Sequence, residues 1–386
     1  MNRRPRIAAV RATEDHAESL AAFYRATWDE SATADSVLVA LHRAAAANRS
    51  TPGEPPPAAI VLEGSRVIGY CGSLPHRIWD GATEHTGYWV KGLMVLPEFR
   101  NGPVGYLAVK ELTQHLPRAI ILTVAPAARR LFTALGYTDL GAVTNWVKPL
   151  RPYVVAKQAD LTAIDGLIPG WASRGVRVAQ RTGVASLLAG SAGLVMSAMA
   201  TATRLPSAGL RTSQGVPAKR ELDELWQTAR ATVHASPVRD GEYLMSRFTG
   251  AAGHVEADRY LFVNARDGAR LVGVAVVRKP RATSDIRLGA MKMATVSDIL
   301  FAPERSAAGL ATLGAIERCA RATEAHALTC MSSHSSLTRL LKRQGYLRLG
   351  GNVHFFFRDV TGNSRWPTDL TSWWLGRGDG ESDATF

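Results

Sequence analysis

The sequence predicts a mixed α/β (α+β) protein whose sheet is largely antiparallel and flanked by helices. Three observations predict this class. In residues 1–150 the apolar residues follow the order strand, two helices, antiparallel meander, then strand–helix–strand–helix–strand. The closing part of that order returns in residues 291–357, again with a proline-containing turn after a long strand. The length of 386 residues is also sufficient for two domains.

The elements of the first half follow from hydrophobic period and from helix-end signals. Thr13 is a candidate N-cap because carboxylates follow it in the first helical turn. Gly136 is the expected residue after a helix, since glycine readily adopts the left-handed conformation. The predicted strands are 6–12, 58–63, 67–75, 88–96, 119–124 and 137–149, and the predicted helices are 13–28, 34–47, 104–116 and 127–135.

The second half repeats this alternation after a segment of different character. Residues 182–203 carry no charge, and their large apolar residues follow helical spacing. We expect a helix packed between two domains there, with peripheral membrane contact as the alternative. The predicted helices beyond it are 221–231, 240–248, 307–323 and 335–344, and the strands are 259–264, 270–278, 291–301, 325–331 and 347–357.

Composition limits the classes of function. The net charge of +13 is spread over the chain and forms no basic run, so it favours anions in general and specifies no nucleic acid. Three cysteines without metal spacing indicate reduced thiols and a cytoplasmic location. The start of the sequence has no apolar run typical of a secretory signal. The ten histidines show no paired ligand spacing, so we expect no metal site.

Residues 88–106, YWVKGLMVLPEFRNGPVGY, read as a strand, a turn and the start of a helix. Pro97 cannot donate to a sheet and ends the strand, and Pro103 suits the first position of the helix. Unpaired amides and the helix dipole converge at such a point, which makes it a candidate anion site. An ordinary strand–helix connection explains the same pattern.

This element order, together with VLPEFRNGPVG, resembles the GNAT acyltransferase superfamily over roughly residues 5–150. The resemblance implies that acyl-CoA, acetyl-CoA or another, lies in a gap where the strand before the turn separates from its neighbour. Pro103 replaces the first glycine of the family's phosphate pattern, which removes one amide donor. The residues that the resemblance assigns to the co-substrate are Met94, Val95, Arg100, Asn101, Gly102, Val104, Gly105 and Tyr106.

Two positions depart from the family. Many members carry an asparagine before, and a tyrosine within, the next helix, and that tyrosine protonates the departing thiolate. Ala125 and Phe132 occupy the matching positions here. Lys91, Glu98 and Tyr137 are the titratable candidates for acid or base work near the thioester. A strand-edge charge, a loop residue bonding backbone amides and a core aromatic residue, respectively, explain them without catalysis.

The second half resembles a further GNAT-like domain whose phosphate loop fits the pattern poorly. The resemblance extends to tandem GNAT proteins found with bacterial polysaccharide-biosynthesis genes, which often end in a Trp-x-Leu-x-x-Gly-Asp tail, here TrpTrpLeuGlyArgGlyAsp at 373–379. For an acyltransferase we expect the acceptor in a cleft shared by the domains, with Arg239, Tyr243, Arg247 and Asp298 facing it; surface salt bridges and core packing explain these four residues as well. The expected domains are an acyl-CoA-binding domain at 1–150, a helical segment at 151–208, a degenerate domain at 209–362 and a Trp-containing tail at 363–386.

Three functions are compatible with these features. The first is an acyl-CoA-dependent N- or O-acyltransferase acting on a saccharide, a peptide or a small amine. The second is an aminoacyl-tRNA-dependent transferase of the Fem type, although the sequence shows no concentrated basic groove for tRNA. The third is a non-catalytic scaffold in envelope-polymer synthesis, peripheral to the membrane through residues 182–203. The sequence does not indicate the oligomeric state.

Overall fold

The computed structural model describes residues 7–48, 51–122, 126–152, 154–155, 209–249, 258–281, 291–362 and 365–380. It confirms the mixed α/β class, with largely antiparallel strand pairing flanked by helices. The chain divides into two compact units, which are described separately below. The predicted helix at 182–203 and position Ala125 lie outside the described residues.

The first unit comprises Met1–Ile78, Glu84–Gly141 and His354–Ser364. Its apolar core joins the inner faces of the helices to the strands and includes Leu20, Ile60 and Leu112, each 1% exposed or less. Its strands are β1 (Ile7–Arg11), β2 (Ala58–Glu63), β3 (Arg66–Trp79), β4 (Glu84–Val95) and β5 (Arg118–Leu122), and its helices are α1 (Ala17–Thr27), α2 (Ala34–Ala47), α3 (Val104–Gln114) and α4 (Pro126–Ala134).

The second unit comprises Trp79–Thr83, Ala142–Val353 and Arg365–Phe386. Its core lies between the sheet and the helices, and Val296, Leu313 and Trp374 are among its buried residues. Its strands include β7 (Leu210–Gln214), β8 (Ser236–Pro237), β9 (Tyr260–Asp267), β10 (Arg270–Arg281), β11 (Met293–Phe301) and β12 (Ala327–Ser332), and its helices are α5 (Lys219–Arg230), α6 (Gly241–Phe248), α7 (Ser306–Ala322) and α8 (Ser335–Arg343).

Two strands pair with a partner from the other half of the sequence. Strand β13 (Leu347–Asp359) follows the second repeat in sequence, yet its residues 355–359 pair antiparallel with β5 in the first unit. Strand β6 (Thr138–Pro149) follows the first repeat, yet its residues 144–149 pair antiparallel with β12 in the second unit. The compact units therefore interleave along the chain. A sequence pattern specifies that a strand forms but not which strand lies beside it.

Candidate active site

The two central strands of the first unit pair only briefly. β4 and β5 run parallel, and their register joins Tyr88 to Ala119 and Trp89 to Ile120. β4 then continues to Val95 without further pairing to β5 in that register. Gly92 interrupts the extended strand, since its φ of +62° lies in the left-handed region that glycine adopts without strain. Among the described residues, the ladder between the two strands thus ends at Trp89, and the gap that the family resemblance implies stays a prediction.

A tight turn connects the end of β4 to α3. Pro97–Phe99 forms one turn of 3₁₀ helix, and the Gly102 amide donates to the Phe99 carbonyl oxygen at 3.0 Å. Arg100 Nε donates to the Val95 carbonyl oxygen at 3.3 Å, which ties the turn back to the strand. Pro103, with φ −78° and ψ 0°, is the N-cap residue and not the predicted first helical residue, and α3 begins at Val104, where the predicted helix 104–116 also begins.

The N-terminus of α3 presents backbone amides. The Leu107 amide donates to the Pro103 carbonyl oxygen at 2.9 Å and closes the first helical turn. The amides of Val104, Gly105 and Tyr106 precede this bond, and helix geometry gives them no intrahelical acceptor. Together with the helix dipole they form a site suited to a phosphate group.

Packing against β3 holds this helix start in place. A Cβ atom on Gly69 would lie 2.5 Å from Val104 Cγ1 and 3.6 Å from the Met94 carbonyl oxygen, so α3 approaches the sheet where a side chain is missing. Val104 is 1% exposed as a result and supports the turn from inside. Within the described part of the chain, a Cβ atom on Gly105 would meet Val95 and Leu131 at 3.7 and 3.8 Å, which is ordinary contact.

The remaining predicted co-substrate residues lie around these amides. Met94 and Val95 are half-buried at the end of β4, and Arg100, Asn101 and Gly102 are exposed in the turn. Tyr106 is 38% exposed in the first turn of α3. The predicted segment therefore forms one continuous surface from the end of β4 to the start of α3.

The structure favours the non-catalytic interpretation of Tyr137. Its side chain is 2% exposed, and its hydroxyl shares a 3.1 Å hydrogen bond with Thr113 Oγ1. Burial raises the pKa of Tyr137 to about 12, which makes it a poor proton donor. Phe132 packs edge-on against it with ring centroids 5.3 Å apart, and this phenylalanine is 3% exposed. Both residues thus belong to the core.

Glu98 and Lys91 are placed differently. Glu98 is exposed and accepts a 2.8 Å hydrogen bond from Arg66 Nη2. A hydrogen bond from its own backbone amide, followed by the one from Arg66, lowers the pKa of Glu98, so the carboxylate is ionised at neutral pH and is a weak base. Lys91 is half-buried in β4 beside the Gly92 interruption. Neither the Arg66 contact of Glu98 nor the position of Lys91 assigns a catalytic role.

Three aromatic side chains that the sequence did not single out lie beside Gly92. Tyr24 stacks on Trp28 with centroids 4.7 Å apart and planes 10° apart, and Tyr24 meets Tyr70 edge-on at 5.7 Å. A Cβ atom on Gly92 would lie 3.4 Å from the Tyr70 ring and 3.9 Å from the Trp28 ring. Trp28 is 55% exposed. The four-residue spacing of Tyr24 and Trp28 at the end of a helix was the available signal.

In the second unit, three of the four residues expected at an acceptor cleft contact the tail, and the fourth, Asp298, is joined to it through Arg239. Arg239 is fully buried; its Nε donates to Asp298 Oδ1 at 2.8 Å and its Nη2 to Asp379 Oδ2 at 2.5 Å. Arg247 donates to the carbonyl oxygens of two tail glycines, and the Tyr243 hydroxyl lies 3.5 Å from one of them. Buried ion pairs and hydrogen bonds to the tail thus hold these side chains, and their role at an acceptor cleft stays a prediction.

Solved structures with the same fold are known. A GCN5-related N-acetyltransferase from Anabaena variabilis is 14% identical and matches 92% of this chain and 73% of its own, with a TM-score of 0.54. A probable N-acyltransferase from Enterococcus faecalis is 9% identical; the match covers 92% of this chain and 72% of the other, with a TM-score of 0.53. Saccharomyces cerevisiae N-myristoyltransferase with bound myristoyl-CoA is 11% identical; the match covers 95% of this chain and 84% of the other, with a TM-score of 0.51.

These comparisons establish the fold of the chain, that of GNAT acetyltransferases and N-myristoyltransferases. No protein-family model and no curated protein sequence matches it. Among the described residues, no helix is both long and apolar enough to span a membrane. The same residues hold no group of three or more His, Cys, Asp or Glu side chains placed to bind a metal ion.

Proposed function

We propose that this chain is an acyl-CoA-dependent N- or O-acyltransferase whose co-substrate binds in the first unit. The observation that carries the proposal is the separation of β4 from β5 beside the amide-rich start of α3. A gap between strands suits an extended pantetheine arm, and the helix start suits its pyrophosphate. Arg100 adds a positive charge at the same place.

The reaction would depend mainly on positioning. An acceptor amine or hydroxyl attacks the thioester carbonyl carbon, the carbon–sulfur bond breaks, and the proton that the acceptor loses passes through solvent to the departing CoA thiolate. Strand amides near the Gly92 interruption would support the developing oxyanion, which is a large contribution in acyl transfer. Holding both reactants in the gap supplies the remainder. Tyr137 has no part in this scheme, because its hydroxyl is buried against Thr113.

The aromatic group formed by Tyr24, Trp28 and Tyr70 is the proposed acceptor side. It lies against Gly92, where the thioester would reach the end of the gap. The exposed face of Trp28 suits the apolar face of a sugar ring, so among saccharide, peptide and small-amine acceptors we favour an amino sugar. Acetyl-CoA is the proposed donor, and a tandem GNAT protein of bacterial polysaccharide synthesis, cytoplasmic and at most peripheral to the membrane, is the proposed context.

Calorimetric titration with acetyl-CoA tests the proposal. Gly105→Glu places a carboxylate at the α3 amides, where the backbone leaves room for a side chain and the helix dipole favours the charge. We expect the fold to persist and the affinity to fall by roughly 100-fold or more, since the carboxylate competes with and repels the pyrophosphate.

Gly314→Glu is the matched control. It adds the same side chain to α7 in the second unit, where the nearest atom to a new Cβ is Arg318 Nη1 at 3.6 Å. We expect wild-type affinity in this variant. The absence of binding by the wild-type protein, or equal affinity in wild type and Gly105→Glu, contradicts the proposed site.

A further inference from the structure

The second unit repeats the strand separation of the first. β11 and β12 pair in parallel as far as Val296, and β11 then continues to Phe301. The register of β11 against β10 skips Ser297, so β11 is interrupted directly after its last residue paired with β12. In the first unit, pairing between β4 and β5 ends at Trp89 and the interruption falls at Gly92. The second unit therefore has a strand gap of the same kind.

The tail lies along the β11 side of this gap. Trp374 Nε1 donates to the Ile299 carbonyl oxygen at 3.1 Å, and the Gly378 amide donates to the Ser297 carbonyl oxygen at 2.5 Å. Both acceptors belong to the part of β11 that has separated from β12. The tail thus occupies hydrogen-bonding positions that an extended ligand with amide groups would use.

The same segment reaches the other side of the gap through Ser333, the residue after β12. The Leu375 amide donates to Ser333 Oγ at 3.1 Å, and Ser333 Oγ donates to the Trp373 carbonyl oxygen. The rings of His334 and Trp374 are 4.8 Å apart. Tail residues therefore join the two separated strands.

The fit of the tail is close. Trp373, Trp374 and Leu375 are 2% exposed or less. A Cβ atom on Gly378 would lie 2.8 Å from both the Ser297 carbonyl oxygen and the Phe248 ring, so the tail approaches β11 more closely than a side chain allows. The ion pair of Asp379 with buried Arg239 fixes the end of the segment.

We propose that residues 373–379 are the built-in occupant of the second strand gap and exclude acyl-CoA from it, so that one chain binds one acyl-CoA. The occupancy stands on the contacts above. Only the number of acyl-CoA molecules rests on the proposed function, because it assumes that the first unit binds one.

Hydrogen exchange of the 386-residue chain, followed by mass spectrometry, tests the occupancy. We expect tail peptides covering 373–379 to exchange roughly 100-fold more slowly than an unstructured chain. Arg239→Gln removes the guanidinium that holds Asp379 and should release this protection. Arg220→Gln is the matched control, since Arg220 is exposed on α5 and pairs with Glu224 on the same helix. Fast exchange of the wild-type tail overturns the proposal. This outcome does not depend on whether the Arg239→Gln variant folds.

Calorimetry with acetyl-CoA tests the exclusion. We expect one acetyl-CoA per wild-type chain and none for Gly105→Glu. Two molecules per chain, or binding that survives Gly105→Glu and accelerates exchange in the tail, would show that acyl-CoA enters the second gap. A protein that binds no acetyl-CoA while its tail remains protected contradicts the proposed function and leaves the tail as the occupant.

Discussion

At the scale of single residues, Asp298 has an unusual electrostatic environment. It is 2% exposed, and it shares the guanidinium of Arg239 with a second buried carboxylate, Asp379. Its Oδ2 has no hydrogen-bond partner among the described residues. Burial raises the pKa of Asp298 to about 6; the charge of Arg239 opposes this effect and that of Asp379 adds to it.

The raised pKa predicts a pH dependence of stability. The folded protein binds a proton at Asp298 more tightly than the unfolded chain, whose carboxyl has a pKa near 3.8. The resulting stabilisation is fully present below pH 3.8 and is lost as the pH rises through 6. Asp298→Asn keeps the Oδ1 acceptor for Arg239 and for the Ile299 amide and removes the titration.

Thermal unfolding of both proteins between pH 4.5 and 8 measures this effect. We expect the Tm of the wild type to rise relative to that of Asp298→Asn as the pH falls, and the variant to be at least as stable at pH 8. Parallel Tm profiles for the two proteins would show that Asp298 does not titrate in this range.

Trp28 tests the acceptor side of the proposed site. Trp28→Ala removes the exposed ring that stacks on Tyr24, and aromatic stacking contributes about 0.5–1.5 kcal/mol. We therefore expect KM for an amino-sugar acceptor to rise by about 2- to 10-fold while the Kd for acetyl-CoA stays unchanged. Trp28→Phe should retain most of the effect of the ring. Equal KM values for all three proteins in steady-state kinetics would argue for an acceptor site elsewhere.

At the scale of elements, the seating of α3 on β3 depends on the missing side chain of Gly69. Gly69→Ala forces a methyl group to within 2.5 Å of Val104 Cγ1, and overpacking of this kind costs typically 1–3 kcal/mol. We expect a loss of stability of about that size and weaker acetyl-CoA binding, because the start of α3 moves. Denaturant unfolding and calorimetry measure the two effects.

The double variant Gly69→Ala, Val104→Ala provides the control, since it removes the methyl group that clashes. If the clash is the cause, Val104→Ala costs less in the Gly69→Ala background than in the wild type. If the double variant loses as much stability as the two single variants together, the clash is not the cause.

Local patterns predicted many elements well. The helix at 34–47, the strand at 58–63 and the start of α3 agree with the structure, because each carries its own period and end signals. β3 continues through Pro75 to Trp79, further than predicted, since a proline-containing strand end reads as a stop in the sequence. β7 and β8 were missed because one is a polar strand and the other has two residues.

At the scale of the whole molecule, the same distinction between local and distant information applies to the site. The turn and helix start at 94–106 are contiguous, so their geometry was predictable from residue order. The exchange of β6 and β13, the aromatic group beside Gly92 and the tail in the second gap depend on contacts between residues far apart in sequence. The burial of Tyr137 was not predictable from residue order either, because its hydrogen-bond partner Thr113 lies on another element.

We propose that acyl-CoA binds between β4 and β5 with its pyrophosphate at the start of α3. A crystal structure of the 386-residue chain with CoA shows whether it does. We expect phosphate oxygens at about 3 Å from the amides of Gly105 and Tyr106, with the pantetheine arm leading toward Gly92. CoA bound elsewhere, or located beside β11 with the tail displaced, would contradict it.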